Sequence, residues 1–351
     1  MGVTVKVAAA QMAPVFMNRE ATVDKICGLI LEAGAAGAKL IAFPETIIPG
    51  YPYWVWTRWV NLQDPASAGK FNRELFKQSV EVPSPATDAL CAAAKAADCY
   101  AVVGLNERDG GTLYNSQLFI GSAGQIVGKR RKLTPFKDEQ LIWGRGDNAD
   151  LHVFSTPFAT LGGLICAEHS NALFRYALQA QGEQIHVASW PGGIKYLMPI
   201  MDIFIRHYTY EAQAFVVNAT SIVTEEIIEY LGPSGNPGEM ESGLGFSAIV
   251  GPGGVYLAGP ERDKEVVLYA DLNFDRLIDS KLLMDLVGHD SRPDVVRLLL
   301  RQTDSHQRPI VIEKLDGPPD SMAEAVVCNE EDGESQGKPV KGKNNKSSTL
   351  V

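Results

Sequence analysis

Short apolar runs of strand character alternate with longer runs of helical period along most of this 351-residue chain. That alternation restricts the architecture more than any other feature, because strands and helices taken in turn pack as helices over sheet faces. Val3–Gln11 alternates and reads as a strand, Arg19–Gly37 has helical periodicity and ends in a glycine, and Lys39–Phe43 is a short buried strand. Ala86–Ala97 reads as a helix and Tyr100–Glu107 as a strand, and Thr112–Ile120 and Gln125–Arg131 form a hairpin around Gly121–Gly124. The strand leading from Phe158 to Cys166, a helix over Asn171–Gln181 and a strand over Gln184–Ala188 make a βαβ unit. A helix over Met201–Gln213, a strand over Phe215–Ala219 and a hairpin around Gly251-Pro-Gly-Gly254 complete the α/β pattern. No linker interrupts it before Pro309, which predicts one domain over residues 1–310. Residues 311–351 turn to Pro, Glu, Gly, Lys, Asn and Ser, with few large apolar residues beyond Gly317, and are predicted to be a disordered tail.

Composition removes several classes of function. A formal net charge of -10 argues against a nucleic-acid partner, which favours a basic face. No apolar stretch reaches the length that spans a bilayer. The segment Met1–Lys6 enters a strand at once, without a signal-peptide core, and Lys6 stands where a myristoylation signal wants Ser or Thr. The five cysteines are an odd set without C-x-x-C spacing, so neither a disulfide framework nor a zinc site is expected. The six histidines contain no H-x-x-x-H pair, and no metal is expected. A reducing, cytoplasmic setting follows as the default.

One cysteine is placed for chemistry. Cys166 ends a Gly-containing apolar strand and is followed by Ala167, Glu168, His169, Ser170 and Asn171, residues that can open and cap a helix. A helix N-terminus lowers a thiol pKa, so a thiolate nucleophile is expected there. Cys27, Cys91 and Cys99 read as small core residues, and Cys328 lies in the tail. A thiolate needs a base and a positive group where negative charge develops. Glu45 follows the buried strand Leu40–Phe43 and Pro44, at a strand's C-terminal end where α/β sheets open their ligand crevices; it reads as a base or as a solvated turn residue. Gly128-Lys-Arg-Arg-Lys132-Leu-Thr-Pro135 closes a strand with four cations. Lys129 and Arg130 read as a solvated edge, and Lys132 is the one placed to point inward. Glu139, seven residues on, could pair with it. His169 reads either as a base for the thiol or as the maker of a local hydrogen bond. Other chemistries find less support: there is no G-x-S-x-G elbow, and Gly124-Gln-Ile-Val-Gly128-Lys129 is one residue short of a phosphate loop.

Phe43-Pro44-Glu45, Lys132 within Arg-Arg-Lys132-Leu-Thr-Pro, and Cys166-Ala167-Glu168-His169 together resemble the nitrilase branch of the carbon–nitrogen hydrolase superfamily. Pro49-Gly-Tyr-Pro-Tyr53-Trp54, Gly182-Glu-Gln-Ile-His-Val-Ala-Ser-Trp190-Pro191 and Gly288-His-Asp-Ser-Arg-Pro293-Asp294 add to the likeness, which runs from about Val5 to about Arg301. The resemblance implies a four-layer α-β-β-α sandwich, a catalytic triad of Glu45, Lys132 and Cys166, and a supporting carboxylate at Glu139. It implies no cofactor, a small-molecule nitrile and water as substrates, and self-association from a dimer towards spiral filaments. Many nitrilases carry Trp after the cysteine where this chain has Ala167. The smaller residue suits a substituted α-carbon, and Ala167 with Trp190 is similar to the arylacetonitrilase subgroup. Tyr53, Trp54, Ala167, Glu168, His169 and Trp190 are therefore expected around an aryl substrate such as phenylacetonitrile or mandelonitrile, with the aromatics alternatively core packing. An amidase or carbamoylase retaining the same triad, a cyanide hydratase, and a non-catalytic filament scaffold are the competing readings.

Overall fold

The computed structural model describes residues 3–56, 65–235 and 240–300. Along the chain run β1 (Thr4–Gln11), α1 (Arg19–Ala35), β2 (Leu40–Ala42), α2 (Pro65–Gln78), α3 (Pro85–Ala97), β3 (Tyr100–Asp109), β4 (Thr112–Ile120) and β5 (Ile126–Arg131). The second half adds β6 (Phe154–Ser155), β7 (Thr160–Ile165), α4 (Ala172–Gln179), β8 (Ile185–Trp190), α5 (Leu197–Ala212), β9 (Phe215–Thr220) and α6 (Glu225–Gly235). The hairpin β10 (Ser247–Gly251) and β11 (Val255–Glu261), then β12 (Val266–Asn273) and α7 (Asp275–Lys281), close it. Two six-stranded sheets result, ordered β12-β1-β2-β3-β4-β5 and β11-β10-β9-β8-β7-β6. Each has three parallel strands at its centre, β1-β2-β3 or β7-β8-β9, flanked by antiparallel ones.

Strand alternation builds four layers. Val7 and Ala9 of β1, Leu40 and Ala42 of β2 and Val102 of β3 share one core with Leu161, Ile185, Val187, Phe215 and Val217 of the other sheet. The intervening residues Ala8, Ala10, Ile41, Ala101 and Val103 pack outward against Ile26 and Ile30 of α1 and Leu90 and Ala94 of α3. On the far side, Leu164, Ala188, Val216 and Val250 pack against Leu178 of α4 and Met201 and Ile205 of α5. The expected α-β-β-α sandwich is the observed fold. Both faces of the central strands are covered, so they carry apolar residues at nearly every position, as buried parallel strands do.

Differences from the sequence reading have local causes. Helix α1 stops at Ala35 because Gly37 takes a left-handed φ of 85° and Ala38 N–H bonds back to Ala33 O at 2.9 Å. Helix α5 starts at Leu197, four residues before the expected Met201; Pro199 sits in its first turn, where its missing N–H costs no hydrogen bond. Strand β12, pairing antiparallel with β1, was not expected, nor were α2, α6, α7 and the two-residue β6. The predicted tail and Cys328 lie outside the described residues. Among the described residues no helix is long and apolar enough to cross a membrane, and no group of His, Cys, Asp or Glu side chains is arranged to hold a metal ion.

One glycine couples the sheet to the segment after β2. A Cβ on Gly104 of β3 would stand 2.1 Å from Pro44 O and 2.9 Å from Glu45 Cα. Gly104→Ala must therefore displace the Pro44–Thr46 turn, and overpacking of this kind costs about 1–3 kcal/mol. Urea unfolding should show a lower midpoint at unchanged slope.

Candidate active site

Three strand ends meet. Strand β2 runs parallel to β3, and β5, two antiparallel pairings beyond β3, runs the same way, so Glu45 and Lys132 leave the same edge of one sheet. Strand β7 delivers Cys166 from the other sheet. Glu45, Lys132 and Glu139 are all essentially excluded from solvent, and Cys166 is 5% exposed. Lys132 Nζ donates to Glu45 Oε1 at 2.9 Å and to Glu139 Oε2 at 2.8 Å, and it lies 5.8 Å from the Trp143 ring centre. Asn115 Nδ2, beside Lys132 across the β4–β5 ladder, donates to Glu45 Oε1 at 2.6 Å. Glu139 also accepts from Tyr51 OH at 2.7 Å and from Phe136 N–H at 2.6 Å. Its two oxygens are thus filled by three donors. Glu45 differs: among the described residues its Oε2, the adjacent Thr46 Oγ1 and Asn115 Oδ1 are buried without hydrogen-bond partners. Native proteins leave few such atoms, and this cluster marks a place where polar atoms have work other than folding.

The turn at Cys166 is held from both sides. Cys166 has a φ of 50° and Thr46 one of 43°, a left-handed conformation that costs free energy outside glycine and persists where the surroundings over-determine it. Cys166 opens a five-residue 3-10 turn, Cys166–Ser170, with Asn171 then capping α4 by accepting from Leu173 and Phe174 N–H. Around the strained residue, Ile165 N–H donates to Glu168 Oε2 at 2.8 Å, His169 Nδ1 lies 2.8 Å from Cys166 O, and Ser170 Oγ donates to Ala167 O at 2.7 Å.

The family profile for carbon-nitrogen hydrolase matches residues 6–281. The chain belongs to the carbon–nitrogen hydrolase family. Within it, the chain falls in the nitrilase branch. It is 42% identical over 305 residues to Nitrilase 3 from an unidentified prokaryote, covering 85% of this chain and 91% of that one. It is 41% identical over 318 residues to the aliphatic nitrilase of Rhodococcus rhodochrous, covering 88% and 85%, and 36% identical over 309 residues to the arylacetonitrilase of Hypocrea virens, covering 85% and 92%. A carbon-nitrogen hydrolase crystal structure from Helicobacter pylori superposes with a TM-score of 0.64 at 19% identity, over 83% of this chain and 96% of that one.

Electrostatics in this hydrolase overturn one expectation. The Cys166 thiol is not acidified by a helix terminus; it is pushed well above its ordinary pKa, first by burial and then by the negative charge of Glu45, with Lys132 and the Ala167 N–H pulling the other way. A single 3-10 turn carries little macrodipole, and a dry site disfavours a lone anion. The thiol therefore needs a base. Burial raises Glu45 to about 7, with the Lys132 charge opposing and Glu139 reinforcing the rise. Burial alone would discharge Lys132, but Glu139 and Glu45 outweigh it and hold the ammonium charged far beyond neutral pH. A carboxylate poised to trade a proton near neutrality thus stands beside a permanent cation.

The residues expected around the substrate divide. Ala167 is half-buried at the start of the turn, and Tyr53 is buried with its hydroxyl donating to Gly192 O at 3.0 Å. Trp54 is core: it stacks on Phe71 at 5.2 Å and donates to Asn72 Oδ1. Trp190 is 1% exposed and stacks on His169 at 5.0 Å. His169 makes the local hydrogen bond rather than serving as a base for the thiol; burial and His186 hold its pKa well below the usual histidine value.

Glu168, expected around the substrate, has its carboxylate taken up by protein donors. Its Oε1 accepts from Arg130 Nη2 at 2.8 Å and Leu133 N–H at 2.7 Å, and its Oε2 from Arg130 Nη1 and Ile165 N–H, both at 2.8 Å. Arg130 is correspondingly fully buried instead of lying on a solvated edge, while Lys129 and Arg131 pair with Glu107. The sequence reading missed Arg130, Asn115, Tyr51 and Trp143. The only signal was that Arg130 and Asn115 point alternately to Lys129 and Ser116 on strands that become buried. Glu168→Gln removes the charge and two of four acceptor positions, leaving Arg130 uncompensated. Breaking a buried pair from one side costs about 3–5 kcal/mol, which urea unfolding should register.

Proposed function

We propose that this enzyme hydrolyses nitriles to carboxylic acid and ammonia, and that Glu45, Lys132, Cys166 and Glu139 carry the reaction. The observation that carries the proposal is the buried Glu45, one oxygen fastened to Lys132 and Asn115 and the other without a partner among the described residues. The names of relatives at 36–42% identity support the nitrile as substrate. Glu45 takes the thiol proton as Cys166 Sγ bonds to the nitrile carbon, and the proton passes to nitrogen to give a thioimidate. Lys132 and the Ala167 N–H stabilise the charge that develops on nitrogen. A water, deprotonated by Glu45, adds to the thioimidate carbon. The tetrahedral species expels ammonia to leave a thioester, and a second water, activated the same way, releases the acid and returns the proton to sulfur. Two waters are consumed for each acid and ammonia formed. Expulsion of the thiol at the tetrahedral stage would give the amide instead. Glu139, filled by its three donors, holds Lys132 in place.

For the substrate class we propose arylacetonitriles and related nitriles substituted at the α-carbon. Ala167 supports this reading, because a methyl group beside the nucleophile leaves space that an indole would occupy. Trp54 and Trp190 add no support, since both are committed to packing.

Assays of phenylacetonitrile and phenylacetamide side by side should show faster ammonia release from the nitrile; the reverse would make the enzyme an amidase. Cys166→Ala should abolish turnover, and Glu45→Gln should lower it by about 100- to 10,000-fold, the usual worth of a positioned base. The working state holds one proton over Glu45 and Cys166. A second proton, added as pH falls through about 7, fills the base. The kcat/KM profile should therefore fall tenfold per pH unit on the acid side of about 7, and a profile flat from pH 8 to pH 5 would remove Glu45 from this role.

A further inference from the structure

Between Cys166 and helix α5 runs a line of four buried polar side chains that the reaction above does not use. His169 Nδ1 lies 2.8 Å from Cys166 O, His169 Nε2 lies 3.0 Å from His186 Nε2, and His186 Nδ1 lies 2.8 Å from Glu183 Oε1. Tyr208 OH donates to Glu183 Oε2. His169, His186 and Tyr208 are fully buried and Glu183 is 5% exposed. The rings lock together: His186 stacks on Tyr208 at 3.8 Å and meets His169 edge-on at 5.1 Å. A Cβ on Gly162 would come within 1.9 Å of Glu183 Oε1, so this strand keeps a glycine where the carboxylate must lie.

Counting protons gives the line a direction. A carbonyl only accepts, so His169 Nδ1 carries a hydrogen and donates to Cys166 O. Burial and His186 keep His169 neutral, which leaves its Nε2 as an acceptor and makes His186 Nε2 the donor to it. His186 Nδ1 and Glu183 Oε1 then share one proton, as imidazolium and carboxylate or as their neutral forms. Tyr208, its phenol held well above its usual pKa by burial and by Glu183, adds a donor that favours the carboxylate. The other charges facing the line are Arg130 and Arg175 on His169, and Arg175 and Glu211 on Tyr208. Both arginines are paired, Arg130 with Glu168 and Arg175 with Glu211, and Arg175 also donates to His169 O.

We propose that Glu183, His186, His169 and Tyr208 form a positioning network in which a His186 imidazolium–Glu183 carboxylate pair, its positive end towards the nucleophile, polarises the Cys166–Ala167 peptide through His169. A carbonyl that accepts a charge-backed hydrogen bond makes its own peptide N–H a stronger donor. The N–H concerned is that of Ala167, which opposes the rise in the Cys166 thiol pKa. The same bond restrains the left-handed backbone of Cys166. The network's role in turnover rests on the nitrilase reading; its effect on the thiol does not.

Glu183→Gln tests this, because the amide can donate to His186 Nδ1 and accept from Tyr208, keeping every hydrogen bond while discharging the pair. Tyr208→Phe removes only one donor to the carboxylate and serves as the milder arm. Iodoacetamide alkylation of Cys166, followed by peptide mass across pH, reads the thiol directly. Glu183→Gln should raise the midpoint by about one pH unit, slowing alkylation about tenfold at fixed pH, and Tyr208→Phe should raise it less. With phenylacetonitrile, kcat should fall about tenfold at unchanged KM. A midpoint unchanged or lowered in whichever variant folds, judged by circular dichroism and urea unfolding, overturns the proposal, since loss of packing alone would not raise it. If the unsubstituted enzyme releases no ammonia from any nitrile, the nitrilase reading falls while the alkylation profiles still decide the network.

Discussion

The carboxylate of Glu168 is the joint on which the site depends. It accepts four hydrogen bonds, from both terminal nitrogens of Arg130 and from the backbone of Leu133 and Ile165. Leu133 follows Lys132 and Ile165 precedes Cys166, so one side chain sets the distance between the end of β5 in one sheet and the end of β7 in the other. An apolar interface between sheets tolerates small slides, because dispersion has little direction. Four charge-assisted or backbone bonds to one carboxylate do not. Gln117 Nε2 on Ser189 Oγ, and Ser189 Oγ on Phe43 O, repeat the device next to Glu45.

Within that frame the charges are deliberately unequal. Two carboxylates share one ammonium, so with both ionised the cluster carries more negative than positive charge, buried away from bulk solvent. The excess is relieved where solvation by donors is poorest. Glu139 is served by Lys132, Tyr51 and the Phe136 N–H, whereas Glu45 keeps one oxygen unserved among the described residues. A further proton, added as pH falls through about 7, accordingly goes to Glu45, whose raised pKa follows from burial more than from any single neighbour. On the proposed mechanism, a thiol whose own pKa is raised reacts because this acceptor is buried in the same site.

What could be read from the chain follows from what local sequence encodes. The β and α periods of β1, α1, β3, β4, β7 and β9 are local and were legible, and so were the positions of Glu45, Lys132 and Cys166, each just beyond a strand whose end could be placed, while Glu139 was singled out by its spacing from Lys132. Strand β12 was not, because it is defined by its pairing with β1 some 260 residues away. The burial of Arg130 was equally hidden: a run of four cations looks like a solvated edge until the fold is assembled, after which Arg130, Arg131 and Lys132 are all buried. The thiol's acidity was misjudged for a related reason, since a helix terminus is visible in sequence whereas desolvation is a property of the assembled layers. Trp54 and Trp190 show the limit for aromatics, because stacking on Phe71 or His169 and stacking on a substrate draw on the same side chains.

The two sheets divide the chemistry between them, and this ties stability to activity. On the proposed mechanism, one sheet holds the proton carrier and the cation, the other the nucleophile with its strained turn and the histidines behind it. Neither half-site is complete alone, so anything that loosens the sheet-to-sheet core also separates base from thiol. The strained backbone at Cys166 and Thr46 costs free energy that the layers' packing has to offset. Glycine is the residue that makes the approach possible: Gly104 lets β3 lie against the Glu45 turn, and Gly163 lets β7 pass Gln117 of the opposite sheet. A methyl group at either place would be felt first at the catalytic end of the sandwich, since that is where the sheets are joined by directional bonds rather than by interchangeable apolar contacts.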